Sequence, residues 1–174
     1  MSKTYKWEFS SRTQAPDSQL MLWLYKQFVL NCPVQKVSNR GKEFSSLGWK
    51  NSGFLTLIKE MKSQSGLEKR SWKWVNDDEL HSALRDLSVS DSYTLDGEFF
   101  VYTKGQKQMV EGLFYMIRNA LAHGSFRYHN TKDGEYLALQ TSNKEKLRGR
   151  AVVKIETLER WRSLLNHSEK YLPK

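Results

Sequence analysis

A single cysteine, Cys32, is all the thiol this chain has. No internal disulfide and no thiolate metal site can form from it, and a reducing cytosol is the expected setting. No stretch approaches the ~18 consecutive apolar residues of a membrane span, and Met1-Ser2-Lys3-Thr4-Tyr5-Lys6-Trp7-Glu8 lacks the apolar run of a signal peptide. The expectation is a soluble cytoplasmic protein with no membrane contact. Internal repeats and low-complexity segments are absent. So are a Gly-rich phosphate-binding loop, paired His or Cys at metal-ligand spacing, and a convincing Ser/His/Asp set. No metal and no cofactor is therefore expected.

What the chain does have is core-forming material and positive charge. Its 174 residues, 39% apolar and 13% aromatic with six Trp, suffice for one domain with a buried core. The net charge is +9, from 28 Lys and Arg against 19 Asp and Glu. The excess is spread evenly: residues 1–90 carry 14 basic and 9 acidic groups, residues 91–174 carry 14 and 10. A polyanionic partner fits such a surface, because Lys and Arg contacts to phosphate supply most of non-specific nucleic-acid affinity. A solvated basic surface with no partner fits it equally.

The apolar spacing predicts mostly helix. Residues 17–31 read as a helix capped by Asp17 or Ser18 and stopped by Pro33. The Gly- and Ser-rich stretch from Ser38 to Gly53 reads as a long surface loop, and Phe54 to about Ser63 as a short helix. Asn76-Asp77-Asp78-Glu79 starts another helix through Leu80, Leu84 and Leu87. From Gln106 to Leu121, apolar residues recur at the spacing of a buried helical face, and Gly124 stands where a left-handed residue ends such a helix. Strand-like runs follow at 125–130, 135–141 and 149–155, the first two joined by a turn containing Asp133-Gly134. A last helix is expected from about 156 to 171.

The helix end carries the chemistry. At ~100° per residue, Glu111, Tyr115, Arg118 and Ala122 share one stripe at the edge of the buried face. His123 would point elsewhere in an ideal helix, but Gly124 lets the chain unwind and redirect it. RNA cleavage without a metal needs a base for the ribose 2′-OH and positive charge on the phosphate. Histidine titrates near neutrality, and arginine offers a permanently charged fork of donors. Asn119 adds an amide that could hold the phosphate. Taken alone, the pair is more often a surface ion pair beside a helix cap.

Arg118-Asn119-Ala120-Leu121-Ala122-His123-Gly124, after the apolar Leu113-Phe114-Tyr115-Met116-Ile117, resembles the R-(polar)-x3-H motif of the HEPN superfamily. The later segments Tyr136-Leu137-Ala138-Leu139 and Gly149-Arg150-Ala151-Val152-Val153-Lys154-Ile155 resemble a HEPN branch with a β-sheet insertion, met in plasmid-borne and other mobile-element proteins. The match covers about residues 105–165. The resemblance implies a mainly α fold: one HEPN-like helical bundle over 1–174, with the motif helix at about 106–123. A small antiparallel sheet would be inserted at about 125–155, before a C-terminal helix at about 156–171. It also implies a metal-independent endoribonuclease of toxin or phage-defence type, acting on RNA as a homodimer and restrained by an antitoxin or sensor protein. Arg118, His123 and Asn119 of both copies would form its site. In toxins paired with a nucleotidyltransferase antitoxin, a Tyr follows the motif His by two positions; here Ser125 stands there and Tyr128 lies further on, which speaks against control by modification of that Tyr.

Supporting residues are expected at Glu111 and Tyr115, beside Arg118, and in the basic run Lys144, Lys146, Arg148, Arg150, which could extend a phosphate track. Trp49, Trp72 and Trp74, interleaved with Lys50, Lys69, Arg70 and Lys73, could stack on bases, though core burial suits most Trp better. His81, His129 and His167 have no partner suggested by spacing. The rival to catalysis is a non-catalytic module that binds RNA, a nucleotide or a protein. A DNA-binding regulator rests on charge alone.

Overall fold

The computed structural model describes residues 3–9, 15–37, 41–67, 71–105 and 107–172. Five α-helices pack around a five-stranded mixed sheet, with a second, two-stranded sheet nearby. The expected helical bundle is therefore corrected: the fold is α/β, with the sheet as its centre.

Near the N-terminus, β1 (Tyr5–Lys6) pairs antiparallel with β3 (Ser92–Tyr93). Helix α1 (Ser18–Leu24) starts on the expected cap, since the Asp17 carboxylate accepts from the Gln19 and Leu20 N–H groups. It continues as a π-helical turn, Tyr25–Leu30, that ends at Asn31 ahead of Pro33. Helix α2 (Phe54–Ser63) and α3 (Leu80–Asp86) lie where the spacing placed them. The 41–53 segment is not a surface loop throughout: Phe44 and Trp49 are buried, and the Trp49 indole N–H donates to the Leu165 carbonyl at 3.0 Å.

The main sheet runs β2 (Trp72–Val75), β4 (Phe99–Thr103), β7 (Lys146–Lys154), β6 (Gly134–Asn143), β5 (Phe126–Thr131). Strands β2 and β4 are parallel and joined through α3; the other pairs are antiparallel. Helix α4 (Met109–Ala122) is the motif helix, and α5 (Ile155–Leu165) follows β7 directly. The strands after α4 are thus not an insertion. Helix α4 leaves β4 and delivers the chain to β5 at the far edge of the same sheet, leaving room between them that β6 and β7 fill.

Alternation along the strands gives the sheet two apolar faces. Phe100, Tyr102, Leu137, Leu139, Ala151 and Val153 face one core with α1, α2, α4 and α5. Phe99, Val101, Tyr136, Ala138 and Val152 face a second core with Leu80, Ala83 and Leu84 of α3, and with Trp7 and Tyr93. Strand β4, apolar on both faces, reads as a short unbroken hydrophobic run, as a central strand should. Among the described residues no helix is long and apolar enough to cross a membrane.

Candidate functional site

Helix α4 is fixed at both ends. Its N-terminus is closed by a capping box between Gln108 and Glu111, in which the Gln108 N–H donates to the Glu111 carboxylate at 3.2 Å. At the other end the Ser125 N–H donates to the Ala120 carbonyl at 2.8 Å and the Gly124 N–H to the Leu121 carbonyl at 3.3 Å. That pair of bonds, with Gly124 at φ 66°, is a Schellman ending, and it leaves His123 as the C-cap. The His123 side chain stands exposed there.

Beside α4 lies a groove of about 470 Å³. Helix α4 supplies Tyr115, Arg118, Asn119 and His123; the turn before it supplies Lys104 and Lys107; the β6 end supplies Thr141, Ser142 and Asn143, and the β7 start Arg148. Among the described residues, four Lys or Arg side chains and a His thus share its wall, and no carboxylate lines it. Such a lining selects anions. Gly112 lines the groove and Gly149 packs against two of its lining residues: a Cβ at Gly149 would lie 2.8 Å from the Tyr102 Cβ and 3.1 Å from the Met116 sulfur, and one at Gly112 would lie 3.1 Å from the Tyr102 ring.

Arg118 is half-buried, and its Nη1 donates to the Asn119 Oδ1 at 2.8 Å. Its Nε is buried with no hydrogen-bond partner. The adjacent amide fixes the guanidinium plane, and a guanidinium lining the groove offers a fork of donors to an oxyanion. Tyr115 is exposed, with the Lys107 ammonium 4.8 Å over its ring. Arg148 is steadied by the Asp77 carboxylate, which also takes a bond from Lys146 at 3.1 Å. These two cations hold the Asp77 carboxyl below its ordinary range.

The structure brings together Arg118, Asn119, His123, Tyr115 and Arg148 of the residues expected from the sequence. Glu111, Lys146 and Arg150 do not line the groove. Glu111 caps α4, and Lys146 is committed to Asp77. Arg150 lies elsewhere: its guanidinium sits 4.9 Å over the Trp7 ring, and its Nε donates to the Gln140 side chain at 2.8 Å. Burial lowers the Arg150 pKa. Sequence reasoning missed Lys104 and Lys107, whose signal is two lysines flanking Gly105 just before an amphipathic helix. It also missed Thr141, Ser142 and Asn143, which only the sheet pairing brings near α4.

Of the tryptophans, Trp49 and Trp72 are core residues, and Trp72 donates to the Tyr102 hydroxyl at 2.9 Å. Trp74 is half-buried, with the Lys104 ammonium 5.3 Å over its ring. Lys69 and Arg70 lie outside the described residues. His81 is exposed, His167 bonds the Ser163 carbonyl, and His129 is buried against Tyr93. Among the described residues no three His, Cys, Asp or Glu side chains gather as a metal-binding group. No family model, no curated protein and no solved structure matches this chain.

Proposed function

We propose that the α4 groove binds RNA and cleaves it without a metal, by attack of the ribose 2′-OH on the adjacent phosphate. The observation that carries this reading is the convergence of Arg118, Asn119 and His123 on one basic groove free of carboxylates. His123 takes the 2′-OH proton as the oxygen attacks phosphorus; the P–O5′ bond breaks, leaving a 2′,3′-cyclic phosphate and a 5′-hydroxyl. Arg118 meets the charge that builds on the non-bridging oxygens, with Asn119 orienting it. Lys104, Lys107 and Arg148 hold neighbouring phosphates.

The leaving 5′-oxygen needs a proton, and the one histidine in the groove has just been used as the base. A second copy of the chain, presenting its own Arg118 and His123 across a two-fold axis, supplies the acid. The likeness of the Arg118–Gly124 segment to the HEPN motif supports the same division of labour, though not through a shared bundle. An antitoxin or sensor protein that restrains the activity belongs to this reading.

The test is cleavage of RNA by the purified chain in excess chelator, against His123→Ala and Arg118→Gln. The expected result is cleavage to cyclic-phosphate ends, with each variant slowed at least ~100-fold. An equal rate in all three proteins sinks the mechanism. A wild type that binds RNA but leaves it whole favours the module that binds RNA without cutting it.

A further inference from the structure

A second cavity, of about 530 Å³, shares no lining residue with the groove. It lies where the end of the π-helical turn and the end of α5 meet the segment around 41–48. Its walls are Asn31, Lys42, Ser46, Leu47, Arg162 and Asn166. That set comprises two cations, two amides, a hydroxyl and one aliphatic side chain, with no carboxylate. The chain is drawn in tightly there: a Cβ at Gly41 would lie 2.4 Å from the Cys32 carbonyl oxygen. Gly41 is thus what lets the next residue, Lys42, reach the cavity beside Arg162.

Arg162 is the unusual member. It is half-buried, and its Nη1 reaches the Asn31 carbonyl at 3.3 Å. Its Nε is buried with no partner. Burial lowers its pKa, so the surroundings disfavour its charge. A desolvated guanidinium without a carboxylate is costly to keep.

Two helix ends face this cavity, and carbonyl ends attract cations. Several of those carbonyls have other partners, while the Asn31 carbonyl, at the cap of the π-helical turn, takes the Arg162 Nη1. Leu165 O accepts from the Trp49 indole at 3.0 Å, Leu164 O from the His167 N–H at 3.2 Å, and Lys26 O from the Asn31 N–H at 3.0 Å. Ser163 O is bonded by the His167 ring at 2.7 Å. Capping therefore occupies one nitrogen of Arg162 and does not account for Lys42, which stands beside it with no carboxylate among the described lining residues.

We infer that this cavity is a second oxyanion site, specific for a phosphomonoester group and distinct from the groove. Two cations match the dianion of a monoester better than the single charge of a backbone diester. The amides and the hydroxyl provide neutral donors for the remaining oxygens. Among the described residues Leu47 alone is apolar and no aromatic ring lines the wall, so the site reads the phosphoryl group and not a base. Inorganic phosphate and the terminal phosphate of a nucleotide share that chemistry.

The experiment is calorimetric titration of Arg118→Gln protein, in which the groove is weakened, at fixed ionic strength. The probes are methyl phosphate, dimethyl phosphate, inorganic phosphate and AMP. The expected result is saturable binding of methyl phosphate, at least ~10-fold tighter than dimethyl phosphate. Arg162→Gln added to that background should weaken it at least ~10-fold. Lys42 is exposed, so Lys42→Gln keeps the test alive should the Arg162 variant fail to fold. AMP binding equal to methyl phosphate agrees with recognition of the phosphoryl group alone; much tighter AMP binding overturns that part. Absence of binding, or equal affinity with Arg162 or Lys42 replaced, overturns the site.

Discussion

Replacing Gly149 by Ala tests how closely the groove floor is fitted. Its Cβ would lie 2.8 Å from the Tyr102 Cβ, 3.0 Å from the Val101 carbonyl oxygen and 3.1 Å from the Met116 sulfur. The first two neighbours are fixed by the β4 backbone, so only the sulfur can move aside cheaply. Relief then requires β4 and β7 to part at their Tyr102–Gly149 register pair. Overpacking of this kind costs about 2–3 kcal/mol, the upper part of its usual range. For a chain of 174 residues, unfolding entropy is about 0.37 kcal/mol/K, so the melting temperature should fall by about 5–8 °C. Differential scanning calorimetry measures it. Gly97→Ala is the control, because nothing lies within 4 Å of its would-be Cβ and its backbone is not left-handed; it should be neutral or raise stability by up to ~1 kcal/mol. Met116→Ala in the Gly149→Ala background should not restore stability, because Met116 is buried and its truncation leaves a cavity. A melting temperature within a degree of wild type for Gly149→Ala would refute the argument that backbone contacts set the floor.

Other outcomes follow from single features. Lys144 and Glu145 form a two-residue hairpin turn with φ of 47° and 65°, so Asn-Gly in their place should stabilise by about 1–2 kcal/mol in denaturant titration. His129 is buried with its Nε2 2.9 Å from the Tyr93 hydroxyl, and burial, then Arg127 and Lys3, push its pKa down to about 4. The unfolded chain binds that proton near pH 6.5, so stability should fall as pH drops from about 6.5 towards 4, by up to roughly 3 kcal/mol, and His129→Gln should flatten that slope. Asn119→Asp places a carboxylate on Arg118 and should cut RNA affinity about tenfold in anisotropy titrations without lowering the melting temperature.

The sequence revealed what is local. The Asp17 cap, α2, α4 and its Gly124 ending follow from neighbours a few residues apart, and so does the β5–β6 turn at Asp133-Gly134. What stayed hidden is pairing at a distance. Phe99–Thr103 is apolar on both faces and carries no alternation to mark it as a strand, while Trp72-Lys73-Trp74 reads as a basic aromatic patch until β4 is placed beside it. Without those two strands, a five-stranded sheet reads as a small inserted antiparallel sheet of three. For the groove, the α4 residues were legible because they share one helix. Arg148 was legible as charge only, Lys104 and Lys107 only as lysines ahead of an amphipathic helix, and Thr141 had no signal tying it to Arg118. Arg150 was lost because its strand turns it towards Trp7.

The crossover from β4 through α4 to β5 fixes an order of assembly. Strands β6 and β7, which fill the space between β4 and β5, follow every other described strand in the sequence. A nascent chain that has produced α4 holds Arg118 and His123 but no opposing wall, because Thr141, Ser142, Asn143 and Arg148 arrive later. The pairing of β4 with β7 also joins residues about fifty positions apart, a long-range closure that comes slowly. The groove is therefore complete only once the chain has passed Lys154, and a fragment that stops short of β7 carries the motif without a site.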